Sequence, residues 1–325
     1  MGRVRSTSLY LGIDVGGTKV EVAAIKDGSK LDPVRVPTAL ESTEALLDGI
    51  EQVVHEVISS HGEPAAIGVG VPSQVEFATG TAVSSVNIPL EGVPLRTELE
   101  HRFGVPVYVD NDGNVAALAE AELMDDGPAR HLVMLTLGTG VGGGVVIDGA
   151  VFRGATGLGA ELGHVVVNAN GPECPGRCPN RGCLEAYCSG TALEIAASER
   201  LGRRVSGAEE VVDAARAGDK EARELLTDLG TWLGVGIAGF VNIFEPEYIA
   251  IAGGLSVAAD LFLDRAIAEA GARALPAGFE RVSITRARGG PDAGVIGAGL
   301  LARNEHARAD AEGDTAPTTT LEGGS

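Results

Sequence analysis

One short Pro/Gly-rich stretch, residues 164–190, contains all four cysteines of the protein and a histidine. Cys174, Cys178 and Cys183 are separated by gaps of three and four residues, and His164 precedes them at the end of a predicted strand. Thiolates and an imidazole nitrogen at such spacing are the ligands of tetrahedral structural zinc sites. The pattern therefore predicts a zinc site of these four side chains.

The thiols have two further interpretations. Disulfides are disfavoured, because the apolar strand "LYLGIDV" begins at Leu9 and leaves no room for a signal peptide, which predicts a reducing compartment. The thiols could instead be small buried residues. This second interpretation stays open for the cluster, and we adopt it for Cys188, which follows the cluster at the start of a predicted helix.

Three glycine-rich turns follow predicted strands: "DVGGTK" at residues 14–19, "GTGVGGG" at 138–144 and "AGGLS" at 252–256. Successive backbone N–H groups in such turns form concavities that bind phosphate oxygens. Asp14 at the strand end could hold Mg²⁺ through water. Each turn alone could be an ordinary turn, and the first is not a P-loop, because the Lys-Ser/Thr pair and the following helix are missing. Together they predict a nucleotide site, with the third turn against an adenine ring.

Polar side chains stand beside these turns. "VDNDGN" supplies Asn111 and Asp112 between a strand and a helix, "GAELGH" supplies Glu161, and "GCLEAY" supplies Glu185. A zinc ion that joins His164 to Cys183 would bring the two glutamates together. Asp112 could also be a simple helix N-cap. Without a Ser/His/Asp or Cys/His pair, this polar set favours a neutral polyhydroxylated ligand, since carboxylates accept hydrogen bonds from hydroxyls.

Composition excludes other classes of function. The chain of 325 residues has a formal net charge of -20 and only four lysines. Without a basic face it is a poor partner for nucleic acid or an anionic membrane. No apolar run approaches the ~20 residues of a membrane span, so the sequence predicts a soluble cytoplasmic protein.

The chain repeats one pattern of strand, glycine-rich turn and strand, in "LYLGIDVGGTKVEVAAI" and in "HLVMLTLGTGVGGGVVI". We therefore expect two similar α/β halves with mixed sheets. Helices are predicted at about 42–60, 113–124, 190–199, 208–217, 220–244 and 293–303, and further strands at 65–71, 105–111, 248–254 and 282–285.

These motifs, with "VDNDGNVAALAE", "GCLEAYCSG" and "IAGGLS", make the sequence from about Leu9 to Arg303 resemble the ROK (repressor, ORF, kinase) family of actin-like ATPases, and within it the glucokinases. The resemblance implies an α/β, two-lobed actin-like ATPase fold (duplicated ribonuclease H-like) with an inserted zinc knuckle. The N-terminal lobe would span 1–112, with a final helix at 292–304 returning to it. The larger lobe, 113–291, would carry the zinc site, and 305–325 would be a disordered tail.

The resemblance further implies an ATP-dependent glucokinase that phosphorylates the 6-hydroxyl of glucose, with ATP, Mg²⁺ and structural Zn²⁺, as a homodimer or homotetramer. Asp112 would be the catalytic base. The sugar-binding set would be Asn87, Asn111, Asp112, Glu161, His164 and Glu185. The nucleotide would contact Gly12, Asp14, Gly16, Gly17, Thr18, Lys19, Gly138, Thr139, Gly140, Gly253 and Gly254. The metal ligands would be His164, Cys174, Cys178 and Cys183 for zinc, and Asp14, through water, for magnesium.

Two alternatives within the family remain. One is a kinase of another hexose or an N-acetylhexosamine. The other is a sugar-sensing transcriptional repressor, which would need a DNA-binding domain ahead of Leu9, where only eight residues stand.

Two positions depart from the family pattern. Gly176 stands where the first cysteine of Cys-x-Cys-Gly-x-x-Gly-Cys-Leu-Glu is expected, and Pro179 stands at its first glycine. We expect Cys174 to replace the missing ligand through a longer loop. Ser73 stands where a glycine is common, which predicts a slightly different loop over the sugar.

Overall fold

The computed structural model describes residues 8–26, 28–124, 127–176 and 178–313. The described residues up to Asp110 and from Val295 onward form one compact unit, called unit 1, and Asn111–Gly294 form a second, called unit 2. The sequence interpretation places the boundaries after residues 112 and 291.

Unit 1 is built on a five-stranded sheet in the order β3-β2-β1-β4-β7. β1 pairs antiparallel with β2 and parallel with β4, and β2 pairs antiparallel with β3. A separate hairpin joins β5 to β6. The elements are β1 (Tyr10–Val15), β2 (Lys19–Lys26), β3 (Ser29–Pro37), α1 (Thr43–His61), β4 (Ala66–Val71), β5 (Ser73–Glu76), β6 (Thr81–Ser85), α2 (Leu95–Phe103) and β7 (Val107–Asn111).

Unit 2 is built on a five-stranded sheet in the order β10-β9-β8-β11-β12. Its elements are α3 (Asp112–Glu122), β8 (Leu132–Leu137), β9 (Val141–Ile147), β10 (Ala150–Val151), α4 (Glu185–Cys188), α5 (Gly190–Leu201), α6 (Ala208–Arg216), α7 (Lys220–Phe244), β11 (Tyr248–Ala252), α8 (Leu263–Arg273), α9 (Pro276–Phe279) and β12 (Ser283–Arg286). Short 3₁₀ segments lie at Leu162–His164, Gly254–Leu261 and Gly290–Asp292, and α10 (Ala293–Gly313) completes the fold.

The two sheets repeat one topology. In each, a meander of three antiparallel strands is followed by a strand that pairs parallel with the first, namely β4 with β1 in unit 1 and β11 with β8 in unit 2. In each, the first two strands are joined by a glycine-rich turn. The duplication expected from the repeated sequence pattern is therefore confirmed.

Each unit has its own apolar core. In unit 1, α1 buries Leu47, Ile50 and Val54 against the sheet, and the Ser42 side chain caps the helix by accepting a hydrogen bond from Ala45 N. In unit 2, α7 is long and apolar enough to cross a membrane by length and composition alone. More than half of its most apolar window is buried, and its inward side chains belong to the main core. We therefore interpret α7 as a core helix.

The last helix is longer than expected. The sequence interpretation ended it at 304 and treated 305–325 as disordered, but α10 continues to Gly313. Residues 305–313 are rich in Ala, Glu and Arg, which favour helix, and His306 packs edge-on against Tyr10 with ring centroids 6.3 Å apart. The remainder of the proposed tail, 314–325, lies outside the described residues.

Glycines let α10 approach the unit 1 sheet closely. A Cβ at Gly12 of β1 would overlap the carbonyl oxygen of Val295, and one at Gly68 of β4 would overlap that of Ala298. Gly12, predicted to bind the nucleotide, thus has a packing role.

We expect Gly12→Ala to destabilise the protein by about 2–3 kcal/mol, because the added methyl group must push a helix backbone off the sheet. In thermal unfolding this corresponds to a fall in Tm of about 4 °C or more. Gly17→Ala is the matched control, since a Cβ at Gly17 meets no atom within 4 Å. Equal Tm values for the two variants would contradict the packing role.

Candidate active site and metal centre

The structure brings the four predicted metal ligands together. One ligand atom from each of His164, Cys174, Cys178 and Cys183 lies within 4.8 Å of all the others. Cys178 Sγ is 3.9 Å from Cys183 Sγ, and Cys174 Sγ is 3.5 Å from His164 Nδ1. A tetrahedral zinc ion with ordinary bond lengths places sulfurs ~3.8 Å apart and a sulfur and a nitrogen ~3.5 Å apart. The cluster fits zinc, with Cys174 in place of the missing cysteine.

Short backbone pairings hold the ligand-bearing segments side by side. Val166 forms a β-bridge with Cys183, and Leu184 N donates to Val165 O at 2.9 Å. Val167 N and Gly182 O form a further bond of 2.9 Å. His164 and Cys183, nineteen positions apart in the sequence, are therefore neighbours in space.

Without a metal, the buried thiols of the cluster favour their protonated form, so that forming thiolates costs free energy. Burial raises the pKa of Cys174 and Cys183 above the ordinary value of a thiol, and the neighbouring thiols of the cluster add to the effect on Cys174. A bound divalent cation offsets this cost, since it coordinates thiolates. Cys188 lies outside the cluster: it is fully buried, and its Sγ donates to Leu229 O at 3.7 Å.

Asp112 is the first residue of α3, and Asn111 is its N-cap. The Asn111 side chain accepts a hydrogen bond from Gly113 N at 2.9 Å, and Asp112 Oδ1 accepts one from the same N–H at 2.8 Å. Asn111 is thus the N-cap residue of α3, so helix capping does not account for an aspartate at position 112. The Asp112 side chain is reached by water, but burial by surrounding protein atoms raises the pKa of its carboxyl.

Glycines bring the start of α3 against β9. A Cβ at Gly113 would overlap Gly143 O, and one at Gly144 would crowd Gly113 O and Ala117. The structure thus divides the second glycine motif, which the sequence treated as one loop. Residues 138–140 form the turn, closed by a bond from Gly138 N to Gly140 O of 2.9 Å, whereas Gly142–Gly144 belong to β9.

Glu185 lies between the metal cluster and this turn. Its Oε2 accepts a hydrogen bond from Val141 N at 2.8 Å, and its Oε1 lies 3.7 Å from Cys174 Sγ. Glu161 is exposed just before His164, and it follows Ala160, whose φ of 63° is unusual for a residue other than glycine. Metal binding through His164 Nδ1 would leave the other ring nitrogen, Nε2, available to a ligand.

A cavity of about 440 Å³ lies within unit 2. It is bounded by the Gly138–Thr139 turn, the start of α5, helix α6 and the 3₁₀ segment that begins at Gly254. Of the two glycines predicted as nucleotide contacts, Gly254 lines the cavity, and Gly253 packs closely against Leu137 with φ of 85°. The charged residues of the lining are Glu194, Glu209, Asp213 and Arg216. The sequence did not indicate them, because charged residues at ordinary helical spacing are the same on any solvent-exposed helix.

In unit 1, the turn between β1 and β2 is held from one side by Thr38. Its Oγ1 donates to Gly16 O at 2.7 Å and its N donates to Thr18 O at 3.1 Å. Lys19 Nζ donates to Glu21 Oε2 at 2.9 Å. Burial of Glu21 acts to raise its pKa, but the hydrogen bonds from Arg35, Lys19 and Lys30 prevail and lower it to about 2. Lys19 is therefore tied to a buried carboxylate beside the turn, and Asp14 precedes the turn on β1.

Asn87 is exposed in the loop that follows β6. Beneath it, buried Ser73 and Ser85 form a relay in which Ser73 Oγ donates to Ser85 Oγ at 2.9 Å and Ser85 Oγ donates to Ile88 O at 2.8 Å. The serine that replaces a common glycine at position 73 thus supports the loop that carries Asn87.

The comparisons with known proteins agree with this architecture. Residues 10–305 match the ROK family. The glucokinase of Halalkalibacterium halodurans is 34% identical over 315 residues, which cover 91% of this chain and 95% of that one. The chain therefore belongs to the ROK family and has its α/β actin-like ATPase fold.

Two solved structures are similar over nearly the whole chain. The ROK hexokinase from Thermus thermophilus has a TM-score of 0.84 at 34% identity, covering 92% of this chain and 99% of that one. A ROK family glucokinase from Streptomyces griseus, solved in complex with glucose and AMPPNP, has a TM-score of 0.73 at 30% identity, covering 91% and 99%.

Proposed function

We propose that the protein is a cytoplasmic glucokinase, which transfers the γ-phosphoryl group of ATP to the 6-hydroxyl of glucose. The main support is the packing of α3 on β9 within unit 2. Asp112 is the first residue of α3, and the glycine turn beside the cavity immediately precedes β9, so the two lie on adjacent elements. A base for the acceptor hydroxyl and a turn for the donor phosphates are the two parts that a sugar kinase needs. The glucose and AMPPNP bound to the Streptomyces griseus relative support the same assignment.

Asp112 acts in this proposal as the general base. Its carboxylate accepts the proton of the 6-hydroxyl as the bond to phosphorus forms, and its position at the first residue of a capped helix fixes its direction. Asn87, in unit 1, keeps the sugar-binding role that the family resemblance implies. In unit 2, Asn111, Glu161, His164 and Glu185 bind the other hydroxyls. Of these, Glu185 already uses Oε2 for Val141 N, so Oε1 is the atom that it offers.

The nucleotide lies in the unit 2 cavity. Thr139 and Gly140 hold the phosphates through backbone N–H groups, and Leu255 and Val257 contact the base. In unit 1, Gly17 and Thr18 present N–H groups of the same kind, whereas the Gly16 N–H is bonded to Lys19 O. Asp14 would hold Mg²⁺ through water, and the ion would supply charge neutralisation for phosphates. Zinc in the cysteine cluster would be structural and would hold His164 and Glu185 in place.

The proposal is tested by a coupled assay of ATP turnover with a panel of sugars: glucose, mannose, N-acetylglucosamine and N-acetylmannosamine. We expect glucose to give the highest kcat/KM. A higher value for an N-acetylhexosamine would assign the protein to another kinase of the same fold, and absence of turnover with every sugar would reject kinase activity. Size-exclusion chromatography tests the proposed homodimer or homotetramer.

The donor is expected to be ATP and not inorganic polyphosphate. Among the described residues of the cavity wall, three carboxylates, of Glu194, Glu209 and Asp213, outnumber one cation, Arg216, and the chain has a net charge of -20. Both features repel a long polyanion more strongly than ATP, and electrostatic steering alone changes association rates by 10-fold or more. With glucose saturating, turnover on polyphosphate should therefore be at least ~10-fold below turnover on ATP. Equal rates with the two donors would show that the cavity does not select a nucleoside.

A further inference from the structure

The segment that leaves the metal cluster at Cys183 runs along the nucleotide turn and is bonded to it. Glu185 Oε2 accepts from Val141 N at 2.8 Å, and Gly190 N donates to Gly138 O at 2.7 Å. Thr191 Oγ1 and Thr191 N donate to Thr139 O at 2.8 and 3.3 Å. Two residues of the turn, Gly138 and Thr139, and the residue that follows it, Val141, are thus fixed from one side by residues 185–191.

The other metal-bearing segment reaches the same place. A Cβ at Gly163, the residue before His164, would overlap Val141 O, and a Cβ at Gly140 would come within 2.5 Å of Glu185 Oε2. Val141 therefore contacts the His164 segment through its carbonyl group and the Cys183 segment through its N–H group. Both segments that carry the predicted metal ligands therefore contact Val141, the first residue after the turn.

We propose that the metal knuckle positions the nucleotide-binding turn, so that zinc occupancy controls nucleotide affinity even when no sugar is present, and that Glu185 is the positioning residue that connects the two. The inference rests on the proposed function, because it takes the Gly138–Gly140 turn as the phosphate-binding turn.

The physical reason is conformational entropy. A turn of Gly138, Thr139 and Gly140 has wide backbone freedom when unbound, and ordering it costs binding free energy. Hydrogen bonds with residues 185–191 that hold the turn in its nucleotide-binding conformation remove part of that cost. The described residues of 168–182 form no helix or strand and are held by isolated bridges and turns, so a bound metal would add to their order, as in other small metal-bound loops. Loss of the metal would free Glu185, and with it Val141.

An opposing effect exists within the same segment. Leu184 and Cys188 are fully buried, Leu193 is almost so, and all three belong to the core of unit 2. If core packing alone held residues 185–191 in place, the turn would keep its order without metal. The two cases differ in a direct binding measurement.

The test is isothermal titration of the full-length protein with ADP in the absence of sugar, before and after zinc removal by a chelator, with metal content measured on each sample. We expect zinc removal to weaken ADP binding by at least ~5-fold, the lower end of ordinary coupling between sites. Because coupling is reciprocal, ADP should raise the affinity for zinc by the same factor. An ADP dissociation constant that changes less than ~2-fold on zinc removal would overturn the proposal.

If the zinc-free protein unfolds, variants of Glu185 measured with zinc bound still test the proposal. Glu185→Gln retains an oxygen that accepts from Val141 N, whereas Glu185→Ala has none. With zinc bound, Glu185→Ala should weaken ADP binding by ~5-fold or more and Glu185→Gln by less than ~2-fold. Cys188→Ala, which changes a buried side chain of the same segment without touching the turn, should match the wild type.

In Glu185→Ala the coupling itself should shrink, so that zinc removal alters ADP affinity less than it does in the wild type. Equal ADP affinity in zinc-loaded Glu185→Ala and Glu185→Gln would overturn the role of Glu185. Absence of ADP binding by the zinc-loaded wild type would overturn the nucleotide site as well, and so would reject the proposed function separately from the coupling.

Discussion

Asp112→Asn is expected to lower kcat for glucose phosphorylation by at least ~100-fold, the low end of general-base contributions. Asparagine keeps the size of the side chain and an oxygen that accepts from Gly113 N, but it cannot take the proton of the 6-hydroxyl. The dissociation constant for glucose, measured by titration without ATP, should stay close to that of the wild type. A variant with near-wild-type kcat would remove Asp112 from the mechanism.

The pH dependence supplies a second measurement. Burial raises the pKa of Asp112 in the free protein, and a general base works only when deprotonated, so the acidic limb of kcat/KM should lie above the ordinary titration range of aspartate. In Asp112→Asn that limb should disappear from the residual activity. An unchanged acidic limb in the variant would show that another group is responsible for it.

The same shift has a consequence for stability. A carboxyl whose pKa is higher in the folded state contributes stability below its unfolded pKa, and that contribution is lost as the pH rises through the folded pKa. At pH 7 the charged Asp112 therefore opposes folding, and Asp112→Asn should unfold at the same or a higher temperature than the wild type. Asp264→Asn, at an exposed acid in the first turn of α8, is the matched control and should leave kcat unchanged.

Cys178→Ala and Cys183→Ala are expected to lose both zinc and glucose phosphorylation. Removing one thiolate from a closed tetrahedral site frees the loop that carries the cluster, and His164 and Glu185 then move from their places. A displacement of ~1 Å at a reacting site can cost about 100-fold in rate, so we expect losses of that order. Metal analysis and the coupled assay on the same samples measure both effects. Cys188→Ala should keep full metal content and activity, since its thiol lies outside the cluster.

Cys174→Ala is the variant that decides the fourth ligand. Cys174 Sγ stands 3.5 Å from His164 Nδ1, so its removal should lower zinc content as strongly as removal of Cys178. Full zinc occupancy in Cys174→Ala would exclude it as a ligand and would leave the fourth position to another group.

Elements with a strong period or clear end signals were predicted well from the sequence. Helix α7 was predicted with the bounds it has, because its apolar positions recur at helical spacing between Asp219, whose side chain caps it, and the break after Phe244. Strand β3 was not predicted. It contains Pro33, which argues against a strand, yet β3 lies at the edge of the sheet, where a missing N–H costs no ladder bond.

The candidate site divides in the same way. The four metal ligands were identified from residue types and spacing, because thiolates and an imidazole at short intervals are typical of zinc sites. The cavity lining at Glu194, Glu209 and Asp213 was not, because these side chains come from two helices and share no local pattern. The packing role of Gly12 was also missed, since the helix that contacts it lies almost 300 positions away in the sequence.

The sequence by itself determined the family, the duplicated sheets and the grouping of the cysteines with His164, because these depend on local patterns: strand–turn–strand repeats, glycines at turns and closely spaced cysteines. Only the tertiary structure decided how the parts are connected. It placed Glu185 between Cys174 and Val141, and it made Asn111 rather than Asp112 the helix cap. Contacts between residues distant in the chain depend on how the elements pack, and no local pattern encodes that packing.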